Sequence, residues 1–186
     1  MKAEIVTYTG KLFDILNPKP ELVCIEDIAH SLANQCRYTG HTKEFYSVAQ
    51  HSVLMAVATE LPGDPMQKLL HDSAEAYFGD IVSPLKRKIY VCEQGYSRRI
   101  GEVEVNLLRV IQEALGVNLD LGPDIKEADR RMLVTEVRDL MSAHPVWDKY
   151  IEGYKPLKHI IPWTPTFAER QFLHTYHEIL ELGVSG

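Results

Sequence analysis

No apolar stretch in the chain runs unbroken for the roughly eighteen residues that a membrane-spanning helix needs, and the opening MKAEIVTYTG lacks the apolar segment of a signal peptide. A cytosolic protein is expected. Cysteine is scarce: Cys24, Cys36 and Cys92 are an odd count, at spacings that fit neither a disulfide framework nor a paired C-x-x-C zinc site, so reduced thiols are expected. Basic charge is also in short supply, with 20 Lys and Arg against 26 Asp and Glu and a formal net charge of −6. A sequence-independent grip on a polyphosphate backbone would work against that field, which argues against long nucleic acid as a partner. Internal repeats, low-complexity tracts and strong period-two alternation are missing as well.

What remains is 186 residues with 45% hydrophobic composition, enough for one domain with a substantial core. Residues 1 to 22, with Gly10, Pro18 and Pro20, read as an irregular arm with one strand-like piece at Glu4 to Tyr8. Helical spacing begins at Ile25, with Ile28, Ala29, Leu32 and Cys36, and Gly40 beyond as a stop. A second helix spans SVAQHSVLMAVATEL, with Ser47 as N-cap and Pro62-Gly63 behind it. The third has Asp64 as cap, Pro65 at the first position, an apolar stripe of Leu69, Leu70, Ala74 and Tyr77, and Gly79 as terminator. A loop with Ser83, Pro84, Lys86, Arg87 and Lys88 leads to a fourth helix from Ile100 to Leu115, ahead of Gly116. Asp124 and Glu127 make a capping-box-like start for a fifth, and a last helix over about 165–182 begins near Thr164-Pro165. The expectation is an all-α, single-domain helical bundle.

Two imidazoles and two carboxylates stand out on these helices: His51 on the second, His71 and Asp72 on the third, and Asp129 in the second turn of the fifth. Adjacent helical residues point about 100° apart, so His71 and Asp72 serve one ion only if other helices complete the shell. Asp129 lies between Ile125 and Met132 on a face that expects burial, and a buried carboxylate needs a partner or a cation. A His2Asp2 set suits a divalent ion (zinc, cobalt, manganese, iron or magnesium) that keeps positions open for water and substrate. Such an ion activates water and neutralises charge on a phosphoryl oxygen. Glu75, four residues after His71, shares its helix face and could take a proton from the attacking water or hold a second divalent ion. Asp80, just past Gly79, could support it.

These residues resemble the HD-domain phosphohydrolases, a superfamily named for a His…His-Asp…Asp pattern on three helices. The matching segments are YSVAQHSV, LLHDSAEAYFGDIVSPLK and IKEADRRM. More narrowly, NQCRYTGHTKEFYSVAQHS and HDSAEAYFGDIVSPLK resemble the small bacterial and phage branch that includes 5′-deoxynucleotidases and dATP triphosphohydrolases. The resemblance covers roughly Ile25 to Leu140 and implies a metal core over about residues 25–140, with catalytic roles for Glu75, Asp80 and Arg37. It also implies substrate contacts from Arg37 and Tyr38 upstream of the first His, with Lys86 meeting a phosphate. Val82 departs from that branch, which has a proline there. Activity would release deoxynucleoside plus phosphate from a monophosphate, or plus triphosphate from a triphosphate, with a lean towards dATP and deoxyadenylates. Members of the superfamily commonly self-associate, so a homo-oligomer is expected.

Plainer readings stand beside each residue. A lone buried His is often a satisfied core histidine, Asp129 has Arg37 as an ion-pair partner, and Glu75 alone would be a solvated helix residue. Tyr38 fits a core aromatic, Arg37 a helix C-terminus, and Lys86 to Lys88 a solvated charged face. His41, His174 and His177 are assigned no role. For the whole chain, the alternatives are a nucleotidase of broad base preference on monophosphates, cyclic-nucleotide or alarmone hydrolysis, and a sensor module that binds nucleotide without turnover.

Overall fold

Helix punctuation carries over from sequence to fold with few changes. In the computed structural model, which describes residues 3–93 and 95–184, strands β1 (Glu4–Val6) and β2 (Leu12–Asp14) form an antiparallel hairpin with Glu4 opposite Asp14. It places Phe13 in the core, stacked on Tyr77 with ring centroids 4.0 Å apart. Helix α1 (Ile25–Asn34) follows, then α2 (Val48–Val57), capped by Ser47, whose hydroxyl accepts from the Gln50 N–H. Helix α3 (Pro65–Leu70) is capped by Asp64, which accepts from Gln67 N, with Pro65 at its first position.

The third sequence-predicted helix is not continuous. After α3 the backbone tightens, with Ser73 N–H donating to Leu70 O, Glu75 N–H to Asp72 O and Tyr77 N–H to Ala74 O, before α4 (Glu75–Phe78). These three-residue steps replace the four-residue ladder of an α-helix across His71 and Asp72, a local overwinding common where a helix carries a functional group. Gly79, at φ +89°, ends the element, and its N–H donates to Glu75 O. Helix α5 (Ser83–Lys86) leads into a second antiparallel hairpin, β3 (Tyr90–Glu93) and β4 (Tyr96–Arg99), turning at Gly95 with φ +85°.

Helices α6 (Ile100–Leu115), α7 (Pro123–Leu140), α8 (Asp148–Ile151) and α9 (Pro165–Val184) complete the order. Helix α7 starts one residue earlier than the Asp124 boundary: Gly122 takes the cap and Pro123 the first helical position, where a missing N–H costs nothing. The molecule is therefore mostly helical, and the two hairpins correct the all-α expectation. The second hairpin is short and turns only Val91 and its cross-strand partner Arg98 part-way inward among the described side chains, too brief an alternation to mark it in the sequence. None of the helices among the described residues is long and apolar enough to cross a membrane.

Helix α2 sits at the centre. It packs against α1, α3, α7 and α9, and Val48 through Met55 are buried except for Leu54. Val48, Ala49, Val53, Met55 and Ala56 fill its apolar positions, and the polar Ser47, Gln50, His51 and Ser52 between them are buried too, so the helix is covered on nearly all sides. Its Val48, Ala49, Val53 and Ala56 join the main core with Ile28, Leu32, Leu69, Leu107, Ile111 and Phe172, while Met55 joins a smaller cluster with Tyr46, Leu61, Met132 and Leu140. His51 is carried into this interior.

Candidate metal centre and pocket

Of the four expected ligands, His51, His71 and Asp72 converge, and Asp129 meets them at His51. His51 Nε2 lies 3.4 Å from His71 Nε2 and 3.3 Å from Asp129 Oδ1, and His71 Nε2 lies 3.2 Å from Asp72 Oδ2. Donor atoms of His51, His71 and Asp72 all fall within 4.8 Å of one another. An ion bonded at about 2.1 Å to each donor separates neighbouring donors by about 3.0–3.4 Å in octahedral or tetrahedral geometry, so the spacing fits a shared divalent cation. The chemistry of the donor set fits as well. Asp72, Glu75, Asp80, Asp129 and Glu136 crowd together, against Arg37 and a Lys86 that is shared with Glu104.

Both histidines have their second nitrogen fixed. His71 Nδ1 is 2.8 Å from Lys68 O, and His51 Nδ1 is 2.6 Å from Glu136 Oε1, which turns both Nε2 atoms towards Asp72 and Asp129. Burial alone would depress the imidazolium forms, yet Asp72 holds His71 up at about 9, and Glu136 with Asp129 raises His51. Asp72 is held far below the usual carboxylate range, since His71 and Arg37 outweigh the burial that opposes ionisation. Asp129, whose side chain is 48% exposed, is the ligand that opens to the pocket; against desolvation, its hydrogen bond from His51 keeps it below the ordinary value.

Glu136 was not among the residues singled out from the sequence. Its side chain is fully buried and accepts from Tyr38 OH, faces His51 Nδ1, and lies 3.4 Å from Arg37 Nε. Burial would raise this carboxyl, but Arg37 and His51 hold it well below the usual range. Its signal was its position seven residues, or two turns, after Asp129, which puts both on one face of α7. The many other charged residues of that helix masked it.

Arg37 and Tyr38 reach the site from a strained turn. Tyr38 and Thr39 both have φ +55°, followed by Gly40 at +76°. Two successive non-glycine residues in the left-handed region are uncommon and persist where surroundings hold them. Here Arg37 N–H donates to Tyr46 O, Lys43 N–H to Leu140 O, and the Tyr38 hydroxyl to Glu136. Arg37 Nη1 lies 3.3 Å from Asp72 Oδ2, and Nη2 3.9 Å from Asp129 Oδ1. The ion-pair reading of Asp129 thus has its partner, at the long limit of contact, while His51 is closer.

Glu75 is buried, with Oε1 at 3.1 Å from Lys86 Nζ and Oε2 without a hydrogen-bond partner. Burial first, then Asp72 and Asp80, push its pKa up against the pull of Lys86. Lys86 also meets Glu104 of α6 at 2.5 Å, so its ammonium is already committed to two carboxylates. Asp80, likewise raised by burial, is positioned by its N–H on Gln35 Oε1, while Gln35 Nε2 donates to Glu75 O. Gln35 is a second residue that the sequence reading passed over. His41 lies in the Arg37 turn region outside the pocket, and His174 pairs with Glu178 on the surface, 3.3 Å away.

Arg37, Tyr38, Asp72, Glu75, Asp80, Val82, Lys86 and Asp129 line one cavity of about 580 Å³, within the range of about 300–1,000 Å³ typical of small-molecule sites. Its wall continues through Leu133, Val146, Trp147 and Tyr150.

No family model matches the chain. It is 36% identical over 182 residues to the uncharacterized protein YfdR of Escherichia coli strain K12, covering 96% of both chains. It is also 35% identical over 128 residues to an uncharacterized protein of Rhodobacter capsulatus, covering 64% of this chain and 62% of that relative.

Proposed function

We propose that this chain, which belongs to the family of YfdR, is a cytosolic phosphohydrolase of the HD-domain type that cleaves the 5′-phosphate ester of deoxynucleotides, with dATP and other deoxyadenylates as leading substrates. The observation that carries the reading is the convergence of His51, His71 and Asp72 within 4.8 Å, with Asp129 3.3 Å from His51, behind a cavity wall to which Asp72, Asp129 and Glu75, with its unpartnered Oε2, contribute. His51, His71, Asp72 and Asp129 would hold a divalent cation, which would supply Lewis acidity and lower the pKa of water.

The chain's own groups do the rest. Arg37 offers a planar cation to the phosphate, and Glu136 behind it keeps the guanidinium aimed. Glu75, in the ionised form that Lys86 on Oε1 favours and with Oε2 free, takes the proton of the attacking water as the P–O bond forms and returns it to O5′ as the P–O5′ bond breaks. Asp80 adds negative charge that keeps Glu75 proton-hungry. Lys86 holds the other oxygen of Glu75, which makes it a support for the base before it is a phosphate ligand.

The test is phosphate and triphosphate release from ribo- and deoxynucleoside mono-, di- and triphosphates with Mn²⁺, Co²⁺, Zn²⁺ or Mg²⁺. Turnover abolished by both Asp72→Ala and Glu75→Gln supports the reading. Nucleotide binding without turnover under any ion would instead favour a sensor.

A further inference from the structure

The segment between α7 and α9 doubles back along α7 and is stapled to it at several heights. Tyr154 OH donates to Glu127 Oε2 at 3.1 Å, and Arg130 lies over the Tyr154 ring. Leu157 N–H donates to Thr135 Oγ1 at 2.8 Å, and Ile160 N–H to Asp139 Oδ2 at 2.8 Å. Further on, Gln50 clamps the backbone through Ile161 O and Trp163 N. These ties carry the chain to the level of Glu127 and back, past the turns that bear Asp129 and Leu133. On that excursion stand Val146, Trp147 and Tyr150, all on the cavity wall. The Trp147 indole N–H donates to Ser142 O at 3.2 Å, which fixes one edge of the ring. Tyr150 is tilted 58° to it, with centroids 6.3 Å apart, and is 40% exposed.

A cavity with ionic groups on one part of its lining and two partly exposed aromatic rings with Leu133 on another suits a ligand of the same two-part character. We infer that Trp147, assisted by Tyr150, is the platform on which the substrate's aromatic base stacks while its phosphate lies among Arg37, Asp72 and Asp129. This rests on the phosphohydrolase reading and adds to it the part of the substrate that the ionic groups leave unread. Stacking tolerates any base, because every base has a π-face, and favours a two-ring purine through its larger contact area.

Two measurements test the platform. Trp147 and Trp163 are the two tryptophans of the chain, so Trp163→Phe leaves Trp147 as the sole indole reporter. In that variant with Mg²⁺, dAMP is expected to quench the fluorescence and 2-deoxyribose 5-phosphate, which lacks a base, is not. In the otherwise unchanged protein, Trp147→Ala is expected to raise the KM for dAMP about tenfold or more, far more than the KM for 2-deoxyribose 5-phosphate, and Trp147→Phe should recover most of the loss. An unchanged KM for dAMP in Trp147→Ala, or binding of dAMP by calorimetry without quenching, overturns the platform and leaves the hydrolase standing. If neither dAMP nor dATP is bound or turned over with any ion, the hydrolase reading falls and takes the platform with it.

Discussion

Glu136 concentrates the physics of the site in one side chain. It is a fully buried carboxylate held ionised by Arg37 and His51, so removing its charge strands both. Glu136→Gln keeps the shape but gives His51 Nδ1 a weaker neutral acceptor. Divalent-ion affinity is expected to drop about 10- to 100-fold, measured by calorimetry with Mn²⁺. Protons compete for the same nitrogens. His71 carries a pKa raised from the ordinary 6.5 to about 9 by Asp72, so in metal-free protein its contribution to stability is full below pH 6.5 and is lost as pH rises through 9. A cation needs that imidazole neutral, and its affinity should therefore increase with pH up to about 9, with proton uptake by buffer detectable in calorimetry. Affinity independent of pH over 6.5–9 would remove His71 from the ligand set. His51, His71, Asp72 and Asp129 were legible in the sequence because two imidazoles and two acids stood on helices that expected apolar residues. Glu136 and Gln35 were not, since their importance lies in what they touch across 85 and 40 residues of chain.

At the scale of elements, boundaries were readable at Ser47, Asp64 with Pro65, Gly116 and Pro165, which stand at helix ends, whereas Gly40 and Pro62-Gly63 lie well past the ends of α1 at Asn34 and α2 at Val57, and α7 starts ahead of Asp124. Tertiary demands were not readable. The overwound step through His71 and Asp72 and the left-handed turn at Tyr38 and Thr39 are conformations that local propensity disfavours and that surrounding contacts impose. Thr39 is β-branched at φ +55°, where each non-glycine residue costs about 1–2 kcal/mol. Thr39→Gly is expected to stabilise the protein by about 0.5–1 kcal/mol, after the entropy that glycine loses on folding, read from urea unfolding. Gly63 gives the opposite case. At φ +92°, a Cβ there would come within 2.7 Å of Ile125 Cδ1, so Gly63→Ala should destabilise by about 1–3 kcal/mol through strain and overpacking between the α2–α3 turn and α7.

For the molecule as a whole, α2 is the element that everything else covers, while the second hairpin lies at the periphery and is mostly exposed. Amide exchange should be slowest over residues 49–56 and much faster in the strands at 90–93 and 96–99. Equal protection across these segments would contradict a central α2. That same helix carries His51, while Asp129 and Glu136 belong to α7, and Met55 and Met132 bring the two helices into one apolar cluster. An ion shared by His51 and Asp129 would thus bolt together two walls of the interior instead of decorating a surface cleft. Chelation would then be felt as a shortened lifetime against protease, with the cell's supply of divalent ions setting how long each copy of the protein survives.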